Sequence, residues 1–451
     1  MKNFKLLPLI LLVTACTSGN PDNNPPGKTF PYTIYQKSLP NGLNIVTVPY
    51  ESPDIASFYI IVRAGSREEV EPGKTGFAHF FEHMMFRGTD RFPHDVYNEH
   101  LKSIGAAANA NTWLDRTVYH MTGNAEMLEQ MFEIEADRFQ NLHYSVHGFK
   151  TEAGAVKGEY TKNNANPITK LNEKTVDVAF DKHTYKHTTM GFWDDVVDMP
   201  NQYDYSLLFF DRFYRPEYTT ILVVGDVTPE KVNGLSEKYF GKWERGNYVP
   251  EIPLEPEQTD TRFAHIQNAD FPPFLSLNYK SPAFSTENEE TASLVVISQI
   301  LFSQRSKLYK KLVIEDRICR NIESRTLLTR DPFLFSVQSS LYNAEDLQFV
   351  KNEITNTIQN LIDNGVDQSV LADTKSNIKY SFETNLDSSS SIANALSYSI
   401  WVSGDPSALG RMYEQVESLT VEDLQEVAAK YLVPEHLTIS TISPDVEGGV
   451  L

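Results

Sequence analysis

The hydrophobic pattern falls into runs of two kinds. Residues 43–48 and 56–64 are short, nearly continuous apolar stretches, which predicts two successive strands. Leu39-Pro40-Asn41-Gly42-Leu43 precedes them, and Asn-Gly supplies the positive φ angles of a tight turn. Between residues 76 and 86 the pattern changes. Phe77, Phe80, Phe81, Met84, Met85 and Phe86 make a helix apolar nearly all round, so it should be buried. Further helices are predicted at 96–104, 125–141 and about 150–160. From Phe263 onward the plan repeats, with strands at 275–279 and 333–338 and helices near 290–301, 344–364 and 367–385. The closing stretch, 419–442, matches 203–227 of the first half. Residues 245–262 contain Pro250, Pro253, Pro256 and several acids, and 250–261 is read as a linker.

Three polar residues interrupt the apolar helix. His79, Glu82 and His83 form H-x-x-E-H, the inverted zinc-peptidase signature. On a helix His79 and His83 stand on one face, one turn apart, with Glu82 beside His83. Two imidazoles at that spacing can hold one zinc ion, and an adjacent carboxylate can accept a proton from water. Five residues alone also fit a buried polar cluster; the apolar surroundings favour the metal, because buried His and Glu need partners. Glu152 and Glu159 are two turns apart and share a face. An arbitrary pair of helical glutamates is solvated surface, but this site lacks an acidic third ligand. Two histidines, one glutamate and an open fourth position make a catalytic zinc set, whereas a structural site is closed by four protein ligands. Residues 105–112 are small and lead through Asp115 and Arg116 to Val118 and Tyr119, a turn entering a strand. An edge strand there would pair with an extended peptide, and an interior strand would not.

The N-terminus carries Lys2 and Lys5, then an apolar run at 6–13 too short to span a membrane. Val13-Thr14-Ala15-Cys16 resembles the lipobox of bacterial lipoprotein signals. This predicts a signal at 1–15, lipidation of Cys16, and a flexible Ser/Asn/Pro/Gly-rich tether at 16–31. Thr17, rather than Asp, after the cysteine points to the outer membrane, facing the periplasm. The chain has 451 residues, with 40 Lys+Arg against 60 Asp+Glu. Losing residues 1–15 removes two lysines, so the mature charge is 38 − 60 = −22. Such a chain has no attraction through its net field for nucleic acid or anionic lipid. Lipidated Cys16 leaves Cys319 alone, so no intrachain disulfide is available and the fold rests on its core.

Taken together, Leu39–Leu43, Ala64-Gly65-Ser66-Arg67, the run from Gly76 to Thr89, Gly105 with Asn109-Ala110-Asn111-Thr112 and Tyr119, Glu152 with Glu159, His183-Thr184-Tyr185 with Gly191, and Tyr214-Arg215-Pro216 with Val224–Val227 resemble the pitrilysin/insulinase family of inverted zinc peptidases, close to its mitochondrial-processing-peptidase-like branch. The resemblance covers nearly all of the chain after the tether. It implies an α+β fold of two similar domains, 32–249 and 262–448, each a mainly antiparallel sheet packed with helices, facing each other as a clamshell. It implies one zinc ion held by His79, His83 and Glu159, with Glu82 as general base and Glu152 orienting the site. It also implies that Asn109 and Ala110 bind the backbone of a peptide substrate. His183 and His187 are four apart, but the resemblance gives them structural or substrate-contact roles rather than a second metal.

One segment departs from the family. Active single-chain members carry an arginine and, seven residues on, a tyrosine that contact substrate. Aligned on Leu312, those positions hold Val313 and Arg320, and neither Arg317 nor Tyr309 is in register. The expectation is therefore a zinc-dependent endopeptidase for unfolded peptides, working as the catalytic half of a heterodimer whose zinc-free sister supplies the pair. The rival is a non-catalytic scaffolding subunit of the same fold; a plain metal-binding protein would leave Glu82 without a role.

Overall fold

The computed structural model describes residues 22–24, 30–446, 448 and 450. The predicted signal, Cys16 and much of the tether lie outside the described residues. Within the stretch read as tether, Asp22–Asn24 forms a strand, β1, paired antiparallel with Ile34–Ser38, β2. Phe30, in the same stretch, is buried and meets Tyr32 edge-on. Composition suggested a free tether there; an open sheet edge offers unpaired backbone groups that even a polar segment can satisfy.

The strands continue with β3 (Asn44–Pro49), β4 (Ile55–Val62), β5 (Ala107–Trp113), β6 (Arg116–Asn124) and β7 (Thr219–Gly225). With β1 and β2 they form a sheet ordered β1-β2-β3-β7-β4-β6-β5. The second sheet uses β8 (Arg262–Gln267), β9 (Phe274–Ser281), β10 (Cys319–Thr326), β11 (Phe333–Leu341) and β12 (Leu437–Ser443), ordered β10-β11-β9-β12-β8. Among the described residues only β3–β7 and β8–β12 run parallel. Reading β8-β12-β9-β11-β10 against β3-β7-β4-β6-β5 shows one plan used twice. The successive strands at 43–48 and 56–64 are β3 and β4, and β7 inserts between them.

Five helices of the first half matter to the site: α1 (Phe77–Met85), α2 (His94–Ser103), α3 (Leu128–Asn141), α4 (Val146–Asn163) and α5 (Pro167–Ala179). β4 and β7 are apolar on both faces because both faces are covered. The helix Ser389–Ser403, from the second half, lies on β4 and β7. Reciprocally, α5 of the first half lies on β8 and β12. Ile392, Leu396 and Ile400 of the crossing helix share one core with Val46, Tyr59, Ile61, Leu222 and Val224 of the first sheet.

A polar network ties the halves where their two edge hairpins meet. Buried Asp115, in the β5–β6 turn, accepts from the Arg330 N–H at 2.9 Å and from the Tyr185 hydroxyl. Arg67 Nε donates to Asp331 Oδ2 at 2.6 Å, and Arg330 Nη1 to Glu68 Oε1 at 2.8 Å. His183 Nδ1 accepts from the Tyr185 N–H at 3.0 Å, so its Nε2 donates to Asp331 at 2.9 Å. Burial alone would raise the Asp331 carboxyl, but these bonds from His183 and Arg67 hold it well below the usual range. The linker is pinned beside this network. Glu255 accepts the N–H groups of Asp181, Lys182 and His183 at 2.8, 2.9 and 3.0 Å.

Candidate metal centre and catalytic site

The site is built on α1, and several groups fix that helix. Gly76 caps it at φ 90°, a left-handed angle open to glycine. A Cβ there would lie 3.0 Å from the Met190 carbonyl oxygen. Glu69, fully buried, accepts the Gly76 N–H at 2.8 Å and the Ala78 N–H at 2.7 Å. Burial pushes its carboxyl up to about 8, and these two N–H groups work against that rise. At the other end Phe86 is the C-cap, and Gly88, at φ 85°, serves the turn beyond it. The Tyr119 hydroxyl donates to the Phe81 carbonyl at 3.2 Å and meets the Tyr214 hydroxyl at 2.7 Å. Phe77, Phe80, Phe81, Met84 and Met85 are each 0% exposed. They fill the rest of the helix surface and leave the strip of His79, Glu82 and His83 facing α4.

α4 brings the two acids. Glu159 Oε2 lies 3.2 Å from His83 Nε2 and 3.7 Å from His79 Nε2. The ligand atoms offered by these three residues all lie within 4.8 Å of one another. Zinc bonded tetrahedrally to nitrogen and oxygen at about 2.0–2.2 Å separates its ligand atoms by about 3.4 Å. The donor set therefore fits a zinc ion in both type and spacing. Glu152 sits one step back. Its Oε1 accepts from His83 Nδ1 at 3.0 Å, which turns Nε2 toward Glu159 and, in the neutral ring, keeps the Nε2 lone pair for a metal. Arg87 Nε donates to the other Glu152 oxygen.

The electrostatics follow. Burial, then the neighbouring His83, lowers the His79 pKa, so His79 is neutral and ready to ligate. The hydrogen bond to Glu152 raises His83 against its own burial. Burial would raise Glu152, but the bonds from His83 and Arg87 lower it on balance. Glu82 is half-buried, and among the described residues its carboxylate has no hydrogen-bond or ion-pair partner in the chain. Its lone pairs are free to accept a proton.

β5 is the last strand of its sheet, so one side of its backbone is unpaired. Ala110 is buried on the α1 side, while Asn109 is exposed. Asn109 Oδ1 accepts the Ala110 N–H at 2.9 Å and so satisfies a backbone donor of this strand locally. Val313 lies in a π-helical turn, Lys310–Glu315. Arg320 Nε donates to the Leu341 carbonyl, and its guanidinium lies 4.5 Å from the Tyr342 ring centre. His187 is buried away from the metal group, its Nδ1 donating to the Thr188 carbonyl at 3.0 Å.

Sequence reasoning missed Glu69, Arg87 and the Tyr119–Tyr214 pair as supports. Arg87 had a signal, standing four residues after His83 on the same helical face. Glu69 had none, because it reaches the helix start from a loop.

Residues 45–191 match the profile described as "Insulinase (Peptidase family M16)", and 202–378 match "Peptidase M16 inactive domain". The zinc protease PqqE of Helicobacter pylori is 28% identical over 415 residues, covering 90% of this chain and 92% of that protein. The mitochondrial-processing peptidase subunit beta of Lentinula edodes is 24% identical, covering 88% and 86%. The crystal structure of a protease from Helicobacter pylori superimposes with a TM-score of 0.84 at 27% identity, covering 91% and 99% of the two chains. The first half of the periplasmic protease PqqL from Escherichia coli shares the fold, with a TM-score of 0.76 at 20% identity over 95% of each. His79, Glu82, His83, Glu152 and Glu159 all fall inside the first matched region, and the repeat without them supplies most of the second: the chain belongs to the insulinase/pitrilysin family, peptidase family M16.

Proposed function

We propose that this chain is a zinc-dependent endopeptidase acting on unfolded peptides and short polypeptides. One observation carries the reading: two imidazole nitrogens and a carboxylate oxygen converge at zinc spacing beside a glutamate whose carboxylate is unengaged. The names of the relatives, zinc proteases among them, support it. Zinc, when bound, supplies a Lewis acid that polarises the scissile carbonyl and makes water acidic near neutral pH. His79, His83 and Glu159 would hold it. Glu152 fixes the His83 tautomer through Nδ1, and Arg87 holds Glu152. Glu82 accepts the proton of the attacking water and returns it to the leaving amine. The free edge of β5 takes the substrate backbone as an added strand, with Asn109 swinging off the Ala110 N–H to admit it. Strand addition reads backbone, so selectivity is broad at most positions.

Val313 and Arg320 support a two-chain enzyme, in which a zinc-free sister supplies the arginine and tyrosine absent here. Lipidation at Cys16 would hold the chain at the bacterial envelope, facing the periplasm on the outer membrane. Among the described residues no helix is long and apolar enough to cross a membrane. The scaffolding alternative is disfavoured because the base and all three candidate ligands are intact.

The test is cleavage of an unfolded polypeptide by the zinc-loaded chain, alone and with any co-purifying sister. Cleavage removed by chelation and restored by zinc is expected, with a large gain from the sister. Equal rates with and without a sister would refute the heterodimer. Zinc bound at one equivalent with no cleavage under either condition would refute the peptidase.

A further inference from the structure

The β5–β6 hairpin carries a cation that the catalytic scheme leaves unused. Arg116 opens β6 opposite Trp113, and Asn111 pairs with Val118. Side chains alternate across a sheet, so Asn109, Asn111 and Trp113 share a face with Arg116 and Val118, opposite to Ala110. On that face the Arg116 side chain runs across β5. Its Nη1 donates to the Asn111 carbonyl at 2.9 Å and to Asn111 Oδ1. The guanidinium therefore lies over β5, an edge strand of its sheet.

On the same face of the sheet lies the crossing helix Ser389–Ser403, packed on β4 and β7. The Arg116 guanidinium is 5.8 Å from the Trp401 ring centre, and Trp401 lies 4.5 Å from Tyr398. Tyr398 borders an open cleft of about 600 Å³ that also meets Asn385, Asn394 and Tyr413. A side chain projecting from a strand added to β5 on this face lies on the same side of the sheet as the Arg116 guanidinium.

The charge state of Arg116 is unusual for its place. Among the described residues no carboxylate forms an ion pair with it, although it is half-buried. Burial depresses its pKa to about 10, and Tyr398 and Glu82 are close enough to counter this electrostatically. A guanidinium has five donors in a fixed fork. Nη1 is spent on Asn111, and among the described residues Nε and Nη2, side by side, have no hydrogen-bond partner. That pair of N–H groups matches the two oxygens of a carboxylate.

We propose that Arg116 is a specificity-determining residue whose Nε/Nη2 edge receives the side-chain carboxylate of one Asp or Glu in a peptide paired along β5. The inference rests on the peptidase reading and narrows its substrates to peptides with an acidic residue at one fixed register from the cut. A protein of net charge −20 repels acidic peptides at long range. A local cation at the binding edge offsets that repulsion where it matters. The bland role for Arg116 is to staple the hairpin through Asn111, and that role carries no preference among peptides.

The experiment measures binding by fluorescence anisotropy, using the full zinc-loaded chain with Glu82→Gln to prevent cleavage. The probes are matched labelled peptides with a single Glu, Gln or Lys scanned along the sequence. At one register the Glu peptide is expected to bind about tenfold more tightly than its Gln twin, as suits a charged hydrogen bond. Arg116→Gln should bring the two within about twofold, and Arg116→Lys should retain part of the preference. Arg116→Glu should transfer the preference to the Lys peptide. Equal binding of Glu and Gln peptides at every register overturns the proposal, as does a Glu preference that survives Arg116→Gln, or no binding of any peptide. Cleavage by the chain with Glu82 intact is scored separately. An acidic preference in binding without any cleavage, alone or with a co-purifying sister, would refute the peptidase and leave the Arg116 site standing.

Discussion

Glu152→Gln isolates the group that prepares His83. The carboxylate takes the His83 Nδ1 proton at 3.0 Å on one oxygen and the Arg87 Nε–H on the other. The amide keeps the shape and still offers one acceptor oxygen. It removes the negative charge, and its NH₂ group cannot accept from Arg87. Charge-assisted bonds are roughly twice as strong as neutral ones. Loss of such an outer carboxylate typically weakens metal binding by about 10–100-fold, or about 1.4–2.8 kcal/mol. Arg87→Ala should cost less, under about tenfold, because the Arg87 side chain is 49% exposed and water already screens it. Zinc affinity is read by competition with a chromophoric chelator, and urea unfolding of the zinc-free protein checks that the fold is intact. Unchanged affinity in Glu152→Gln would refute the reasoning. So would an Arg87→Ala loss larger than that of Glu152→Gln, since Arg87 acts only through Glu152.

Three more outcomes follow from buried or pinned charge. Arg138 is buried among Phe86, Tyr97 and Tyr119 and bonds Glu135 through Nε at 3.2 Å, so Glu135→Ala strands a cation and should destabilise the fold by about 3–5 kcal/mol. Urea unfolding checks this, and replacing both partners with apolar residues should recover much of the loss. His187 has its pKa lowered to about 4 by burial, so the fold binds fewer protons there than the unfolded chain. Its stabilising effect is complete above pH 6.5 and is lost as pH falls through about 4. The loss is on the order of 3 kcal/mol, and His187→Asn should flatten it in urea midpoints measured across that window. Glu255→Gln weakens three N–H bonds that pin the linker, and limited proteolysis within 250–258 should then quicken at least severalfold while zinc affinity stays unchanged.

Local signals told most of the secondary structure. The apolar run behind Asn41-Gly42 became β3, and the 96–104 and 290–301 patterns became helices within two residues of their ends. What stayed hidden was long-range. Nothing near β3 or β4 says that β7, more than 150 residues later, separates them, because strand order depends on pairing across the whole chain. The crossing helix Ser389–Ser403 was also missed. Its apolar stripe of Ile392, Leu396 and Ile400 is diluted by serines, and its packing surface belongs to the other half. At the site, spacing alone paired His79 with His83. Choosing Glu159 over Glu152 as the third ligand needed the family resemblance, since both acids share a face of α4. The geometry separates them: Glu159 meets the two Nε2 atoms, whereas Glu152 meets Nδ1 of His83. Arg116 escaped notice because an arginine at a turn reads as solvated until the strand beneath it is found to be an edge.

The most direct measurement compares turnover of a quenched fluorescent peptide library by the zinc-loaded chain with turnover by its Glu82→Gln variant, together with zinc content. The expected result is one zinc in each protein and a rate at least about 100-fold lower in the variant, the size of effect a general base contributes. Equal rates with zinc intact would show that hydrolysis does not pass through Glu82, and the assignment of this helix as the catalytic centre would be wrong.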